Sequence, residues 1–327
     1  MLQLTPVPPS APCFDRRRRE LHKQAMNTPA STSGPPRIFD RALGRLRLAR
    51  AFAAGPATFL LERVAADMGE RLDAILRPFP RALDLATPGP QLAAMLACRP
   101  GERRITRLAP IQQVLGEGPW TGLVGDEEAL PFSSESFDLI VSGLALQSVN
   151  DLPGALMQAR RALAPDGLFL ACMIGGRTLE ELRIALAAAE EEIMGGVSPR
   201  VSPLADIRDM GSLLQRAGFA LPVTDLDSII VRYSSVLGLM ADLRAMGATN
   251  ALVERLRKPA RREVFLRAAQ IYAQRFSDPD GRVRATFEVT WLSGWAPHES
   301  QQKPLAPGSA KMRLADALGA KEQKLPE

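Results

Sequence analysis

A turn between an apolar strand and a helix is the first part of this sequence where chemistry can be expected. Residues 81–95 read RALDLATPGPQLAAM, in which an apolar run carrying Asp84 leads through ATPGP, residues 86–90, into a helical pattern. A strand–turn–helix of this kind usually turns through glycines and holds a nucleotide with backbone N–H groups. Two prolines here donate no N–H. The turn therefore predicts a nucleotide-type site that is short of donors.

Three consecutive acids, Asp126, Glu127 and Glu128, form a second candidate group, and Leu-Pro-Phe follows at 130–132. Taken alone, the acids are typical of a solvated loop and the apolar triplet of a core plug. Their chemistry would be acceptance of hydrogen bonds from a ligand, because an ionised carboxylate only accepts.

His298, beside Glu299, is the remaining acid/base candidate, although a structural loop histidine is the simpler interpretation. The chain has two histidines, which are too few for a typical histidine metal site. Its three cysteines are far apart, so no metal-ligand spacing and no disulfide framework is predicted, as in a reducing compartment. They are Cys13, Cys98 and Cys172.

Charge is distributed unevenly along the 327 residues. The net charge is +5, but residues 1–50 carry ten Lys/Arg and three Asp/Glu, which leaves −2 for the remaining chain. The basicity belongs to a tail, so we expect no nucleic-acid partner. No apolar run reaches the length of a membrane span. The hydrophobic content of 46% is typical of a globular protein with a sizeable core.

The elements that would position these groups alternate between apolar strands and helical patterns. This order predicts an α/β fold with a parallel sheet covered on both faces, followed by an antiparallel edge pair around a helical insert. Predicted strands are 82–85, 104–108, 122–124, 137–142, 168–174, 225–233 and 284–292, and predicted helices are 91–97, 152–163, 178–193 and 203–217.

Four regions follow from the same patterns. We expect a disordered tail at 1–36, a helical segment at 37–80, the sheet domain at 81–295 with its insert at about 235–276, and a C-terminal tail at 296–327. The Arg-rich start is similar to a transit peptide, but acids flank the arginine run, and a start at Met26 is the alternative. No secretory signal is visible, so a cytoplasmic, bacterial location is predicted.

The acids with Leu-Pro-Phe, the strand 137–142 and the Pro-Asp-Gly at 165–167 come in an order and spacing that resembles the class I S-adenosylmethionine methyltransferases. The resemblance implies a Rossmann-like seven-strand sheet, mostly parallel with an antiparallel last strand. It also implies that Asp126 hydrogen-bonds the adenine amine and that the strand before Gly143 leads to the methionine side of the site. The cofactor-contacting residues it implies are Asp84, Ala86, Thr87, Gly89, Asp126, Glu127 and Gly143.

Further blocks are similar to one subfamily, the methyltransferase-like mitochondrial complex I assembly factor 5 family and its bacterial relatives. That resemblance implies a role in maturing a subunit of NADH:quinone oxidoreductase; the mitochondrial member is regarded as an arginine hydroxylase. The blocks lie at 39–43, 149–153, 175–179, 198–203, 242–250, 294–295 and 298–301.

Three departures from the family pattern weaken the expected cofactor site. The glycine positions of the turn hold Ala86, Pro88 and Pro90, and Leu108 stands where an acid normally grips the ribose. Each lost charged hydrogen bond costs about 1.5–3 kcal/mol, so two cost roughly 3–6 kcal/mol. Gln147 replaces a histidine of the mitochondrial pattern and cannot serve as a general base near neutral pH.

Two functions remain open from the sequence. The chain is either an S-adenosylmethionine-dependent enzyme that modifies a protein, most plausibly a complex I subunit, or a non-catalytic assembly chaperone with a degenerate cofactor site. Arginine hydroxylation, as in the mitochondrial relatives, is the further alternative. Association with the periphery of a membrane complex stays open under each.

Overall fold

The fold is built on one seven-stranded sheet with helices on both faces, in a computed structural model that describes residues 37–203, 206–302, 312 and 319. The tail predicted at 1–36 and most of the tail predicted at 296–327 lie outside the described residues. The strands are β1 Arg81–Leu85, β2 Arg104–Ala109, β3 Thr121–Val124, β4 Phe137–Gly143, β5 Leu163–Ile174, β6 Ala220–Tyr233 and β7 Val283–Trp295. The helices are α1 Arg41–Ala54, α2 Phe59–Asp73, α3 Gln91–Cys98, α4 Leu152–Ala162, α5 Glu180–Met194, α6 Ile207–Arg216, α7 Val236–Ala245 and α8 Arg262–Phe276.

The strand order is β3-β2-β1-β4-β5-β7-β6. Neighbouring strands from β3 to β5 are parallel, and β7 runs antiparallel to both β5 and β6. The predicted fold class and the predicted antiparallel edge pair are confirmed. This arrangement, with one antiparallel strand inserted near the edge, is that of the class I methyltransferases.

The helical insert between β6 and β7 differs from its prediction. The sequence pattern predicts helix across 235–276, whereas α7 ends at Ala245 and α8 begins at Arg262. Gly247 adopts a left-handed φ of +71° just after α7, which favours glycine and ends the helix there. The residues between Ala245 and Arg262 therefore form a loop rather than part of one long helix.

Each face of the sheet has its own core. One core lies under α4 and α6 and includes Phe169, and the opposite core lies under α2 and α3 and includes Trp291. A third cluster joins α5, α7 and α8 to β7 around Tyr272, whose hydroxyl donates to the Arg284 carbonyl at 2.7 Å. Among the described helices, none is long and apolar enough to cross a membrane.

A crevice lies at the centre of the sheet, where the carboxyl ends of β1 and β4 are adjacent. β1 lies between β2 and β4, so the connections from β1 and β4 leave the sheet in opposite directions at their carboxyl ends. Ligands of open α/β sheets bind at such a switch point. Over this edge lies α1, which begins after Asp40, whose side chain accepts a hydrogen bond from the Leu43 N–H. The helical segment predicted at 37–80 thus folds as two helices, of which the first covers the crevice.

Candidate functional site

A cavity of about 580 Å³ lies at the carboxyl ends of β1 and β4. This volume is within the range of roughly 300–1,000 Å³ that small-molecule sites occupy. Its floor is formed by the turn after β1 and the loop at 144–148, and its cover by α1, α5, α7 and the loop after α7. Its lining includes Ala86, Pro88, Pro110, Glu127, Gln147, Arg45, Arg47, Leu48, Phe52 and Arg200.

The turn after β1 keeps the shape of a glycine-rich turn without its glycines. Ala86 adopts a left-handed φ of +58°, and its N–H donates to the Leu108 carbonyl at 2.8 Å. An L-residue in this region costs roughly 1–2 kcal/mol. Gly89 approaches α2 so closely that an added Cβ would lie 2.9 Å from Leu61 Cδ2. Close packing therefore favours glycine at position 89, which does not itself line the cavity.

Thr87 and Gly143 form a buried support beneath this turn. The Thr87 side chain is fully buried, and its Oγ1 accepts from the Gly143 N–H at 3.0 Å. An added Cβ on Gly143 would lie 2.9 Å from Leu92 Cδ1. Both residues were predicted to contact a cofactor, but neither lines the cavity. Their observed role is to tie the end of β1 to the end of β4.

Asp84 is held by a partner that sequence reasoning missed. Asp84 and Arg107 are both fully buried, and Arg107 Nη1 lies 2.5 Å from Asp84 Oδ2. The second guanidinium nitrogen donates to the carbonyls of Thr87 at 2.9 Å and Val114 at 2.8 Å. Burial raises the pKa of Asp84 to about 6, and the charge of Arg107 opposes that rise. Neither Asp84 nor Arg107 lines the cavity.

The carboxyl end of β2 supplies no acid. Leu108 and Ala109 are fully buried, and Pro110 follows at the cavity wall. The acid that usually grips ribose hydroxyls at this place is therefore missing, as the sequence predicts. Any acceptor for such hydroxyls must come from another loop.

Acids 126–128 are gathered around α1 rather than solvated. Arg41 lies 2.7 Å from Asp126 Oδ1, 2.6 Å from Glu127 Oε1 and 2.8 Å from Glu128 Oε2, and Arg45 lies 2.8 Å from Asp126 Oδ2. Burial alone would raise the pKa of Asp126, but the N–H of Glu128 and the two guanidinium groups hold it below its ordinary value. Both oxygens of Asp126 are thus engaged within the protein.

Two cavity-lining residues each carry a buried acceptor atom without a donor among the described residues. Glu127 is nearly buried, and its Oε2 has no hydrogen-bond donor among the residues that the structure describes. Gln147 donates through Nε2 to the Leu144 carbonyl at 2.6 Å, and its buried Oε1 is likewise unpaired within the described chain. A buried acceptor without a donor is costly. The cavity therefore suits a ligand that brings amine or hydroxyl donors.

Four of the seven blocks that carry the subfamily resemblance, at 39–43, 175–179, 198–203 and 242–250, contribute residues to the cavity lining, although they are far apart in sequence. Asn150 Oδ1 accepts from the N–H groups of Ile38 at 2.9 Å and Phe39 at 2.8 Å. Asn250 Nδ2 donates to the Pro199 carbonyl at 2.8 Å. The 198–203 block is further fixed by Glu190, whose Oε1 lies 2.5 Å from Arg200 Nη2. These contacts hold the cover elements in place.

His298 and Glu299 lie at the opposite end of the sheet, which corrects their candidacy as acid and base for the cavity. They follow Trp295, which pairs with Leu168, whereas the cavity end of β5 is Ile174, paired with Val289. Six residues of strand separate the two ends, or roughly 20 Å. His298 is exposed, and its Nδ1 lies 2.7 Å from Ser300 Oγ.

The titratable side chains of the cavity lining are carboxylates and guanidinium groups. No histidine, lysine, cysteine or tyrosine is among the described lining residues. Across the described ranges, no cluster of three or more His, Cys, Asp or Glu side chains is placed to hold a metal ion. Acids and arginines in the lining are Asp40, Glu127, Arg41, Arg45, Arg47, Arg200 and Arg244.

Comparison with known proteins places these features in a family. A methyltransferase domain model matches residues 88–171. The chain is 37% identical over 286 residues to "Arginine-hydroxylase NDUFAF5, mitochondrial" of Danio rerio, covering 85% of this chain and 89% of that protein. It is 39% identical over 286 residues to the Homo sapiens protein of the same name, covering 85% and 83%. It is 35% identical over 274 residues to malonyl-[acyl-carrier protein] O-methyltransferase of Halorhodospira halophila, covering 81% and 90%.

Proposed function

We infer the function from the premise that this chain belongs to the class I S-adenosylmethionine-dependent methyltransferase superfamily and, within it, to the family of the NDUFAF5 arginine hydroxylases. We propose that it modifies a protein substrate with an S-adenosyl ligand held in the cavity. The observation that carries the proposal is a pair of buried acceptors without a donor among the described residues, Glu127 Oε2 and Gln147 Oε1, on two residues that line a cavity at the switch point of the sheet.

The chemistry of these acceptors suits the nucleoside. S-adenosylmethionine carries an adenine amine, two ribose hydroxyls and an amino group, all of which donate hydrogen bonds. A charged acceptor such as Glu127 would make one of the stronger bonds, since charge-assisted hydrogen bonds contribute about 1.5–3 kcal/mol. When bound, the ligand would supply an activated methyl group. Pro88, in the turn, has no N–H for its carboxylate, so we expect weaker binding than a glycine-rich turn gives.

The protein substrate that we propose is a subunit of NADH:quinone oxidoreductase, met in the cytoplasm of a bacterium. Support comes from the subfamily blocks at 39–43, 175–179, 198–203 and 242–250, which resemble the complex I assembly factors and contribute residues to the cavity lining. Cover elements are the part that a protein substrate would contact. Pull-down of complex I subunits with the full chain tests this part by itself.

A second candidate, a non-catalytic assembly chaperone, is favoured by a different observation. Asp84 is ion-paired with Arg107. The described cavity lining contains no histidine, lysine, cysteine or tyrosine that could act as a base. In this candidate the cavity and its cover hold a partner without chemistry.

Calorimetric titration with S-adenosylmethionine and S-adenosylhomocysteine separates the two. We expect wild-type binding in the micromolar range, weakened about tenfold or more in Glu127→Gln, because a charged acceptor is lost. Gln147→Met is the second variant, since it removes an acceptor and leaves the contacts of Arg41 intact. Glu299→Gln, at the other end of the sheet, is the matched control and should bind as wild type.

No heat at millimolar ligand would rule out the cofactor-dependent enzyme and leave the chaperone. Equal affinities in all variants would show that the ligand binds elsewhere. Where binding occurs, mass spectrometry of the captured subunit then distinguishes a methyl increment from a hydroxyl increment.

A further inference from the structure

Strand β6 forms one edge of the sheet and is long and apolar for an edge strand. It spans 14 residues and, among the residues that the structure describes, pairs only with β7. Leu226 and Ile230 are 43% and 58% exposed. Edge strands are normally short or carry lysine, proline or a bulge, because their free N–H and C=O groups can pair with another chain. In β6 the proline and the irregular register lie at the start, near Pro222, which leaves residues 223–233 without this protection.

The even-numbered residues of β6 direct their backbone groups away from the sheet. On β7, the Glu288 carbonyl accepts from the N–H of Gly175, which follows β5, so even-numbered residues of β7 face β5. The odd-numbered residues of β7 therefore face β6, where Trp291 lies opposite Asp225. Because backbone direction alternates along a strand, the odd-numbered residues of β6 bond to β7 and the even-numbered ones point outward. The Leu226 N–H agrees with this, since it donates to Asp225 Oδ1 at 2.8 Å.

We propose that the outer edge of β6 pairs in antiparallel orientation with β6 of a second copy of this chain, so that two sheets become one. A register centred on Ser228 places Leu226 opposite Ile230 of the second copy, twice by symmetry. Both exposed apolar side chains then have an apolar cross-strand partner, which stabilises paired strands. The outward N–H and C=O groups of the even-numbered residues find their partners on the second copy.

The charges on β6 favour this register over its neighbours. With Ser228 at the centre, Asp225 and Asp227 each lie opposite an aliphatic residue of the second copy. A register centred one residue earlier places Asp227 opposite Asp227, and one centred two residues earlier places Asp225 opposite Asp227; like charges directly opposite are destabilising. Registers centred later pair fewer residues, because β6 ends at Tyr233. The strand is therefore complementary to itself in one register.

This pairing keeps the two cavities apart. β5 and β6 are both antiparallel to β7 and so run in the same direction, which puts the cavity toward the carboxyl end of β6. In an antiparallel pair, the carboxyl ends of the two β6 strands point in opposite directions. The cavities then lie at opposite ends of the joined sheet, so the dimer does not depend on the proposed function.

Sedimentation velocity of the full chain over a range of micromolar concentrations tests the pairing. We expect the wild type to sediment as a dimer and Ile230→Arg to weaken the dimer at least about tenfold, because a guanidinium loses water at two symmetry-related places. Leu123→Arg, on the edge strand β3 at the other side of the sheet, is the matched control and should dimerise as wild type. Ser228→Pro is the second variant, since the N–H that it removes points outward and is used only between copies. Circular dichroism confirms that each variant is folded.

Cysteine cross-linking tests the register. In a chain that carries Cys13→Ser and Cys98→Ser and keeps the buried Cys172, Ser228→Cys should form an intermolecular disulfide under mild oxidation. Directly opposed residues that share hydrogen bonds have Cα atoms about 5.5 Å apart, which a disulfide can bridge. Leu226→Cys is the control and should not cross-link, because its symmetry mate lies four residues, or roughly 13 Å, along the strand.

A wild-type chain that stays monomeric at every concentration overturns the proposal, as is expected if a segment of the chain itself covers the edge. A dimer that survives both Ile230→Arg and Ser228→Pro also overturns it, since the copies then meet elsewhere. Cross-linking at position 226 without cross-linking at position 228 overturns the register. A dimer that is lost only in the β6 variants, together with cross-linking at position 228, supports the pairing as proposed.

Discussion

Arg107→Met should be among the most destabilising single changes in this chain, for an electrostatic reason. The substitution preserves much of the apolar stem but leaves Asp84 fully buried without its counter-ion. Removal of one partner from a buried ion pair typically costs about 3–5 kcal/mol. The carbonyls of Thr87 and Val114 lose a donor at the same time. A loss of this size is a large part of the roughly 5–15 kcal/mol by which domains are stable.

The pH dependence of that loss follows from the pKa of Asp84. Its pKa is about 6 in the folded chain, above its ordinary value of 3.8, chiefly because of burial. A raised folded pKa means that the folded state binds the proton more readily, so this group adds stability as pH falls through 6 and removes it as pH rises. Without the guanidinium of Arg107 the pKa rises further. The deficit of Arg107→Met should therefore shrink as the pH is lowered from about 8 to about 5.

Urea unfolding monitored by circular dichroism at both pH values measures this directly. The double variant Asp84→Asn with Arg107→Met removes the stranded charge and should recover most of the loss at the higher pH. Arg104→Met, at the exposed start of β2, is the control and should stay within about 0.5 kcal/mol of wild type. A deficit under about 1 kcal/mol at pH 8, or one that does not change with pH, would refute the buried-charge argument.

Three smaller predictions concern the turn after β1 and the segment before α1, each checked by urea unfolding. Ala86→Gly should raise the free energy of unfolding by about 1 kcal/mol, because glycine adopts the left-handed φ of +58° without strain; an unchanged or lower value would contradict this. Gly89→Ala should lower it by about 1–3 kcal/mol through the clash with Leu61, whereas Gly44→Ala, with open space around its Cβ, should not lower it. Asn150→Ala should lower it by about 1–3 kcal/mol, because two N–H groups of the segment before α1 lose their acceptor.

The strands of the sheet could be predicted from the sequence because their signals are local. Apolar strands such as β1 and β4 are short continuous runs, and the acid-plus-turn pattern marks where β1 ends. The antiparallel pair of β6 and β7 shows clear alternation. The break between α7 and α8 was missed, because a single glycine at 247 does not outweigh a long helical pattern when its φ is unknown.

The decisive pairings of the site could not be predicted, since they join residues distant in sequence. Asp84 and Arg107 become neighbours only through the parallel register of β1 and β2, which places them opposite each other. A charged residue inside the apolar run of β2 was the available signal. Arg41 meets the acids at 126–128 across the cavity mouth, and no local pattern distinguishes such a cluster from a solvated loop.

These pairings explain why a turn with two prolines persists at a nucleotide-type crevice. In a glycine-rich turn the backbone is free to present N–H groups, and the ligand helps to order it. Here Arg107 donates a hydrogen bond to the Thr87 carbonyl and so supports the turn. Ala86 adopts a strained left-handed φ, which lets the backbone follow the course of a glycine-rich turn. With its shape fixed internally, the turn needs no ligand for order and offers fewer donors to one. Under the proposed function, recognition of the ligand passes to the buried acceptors of Glu127 and Gln147 on the neighbouring loops, which have no donor among the described residues.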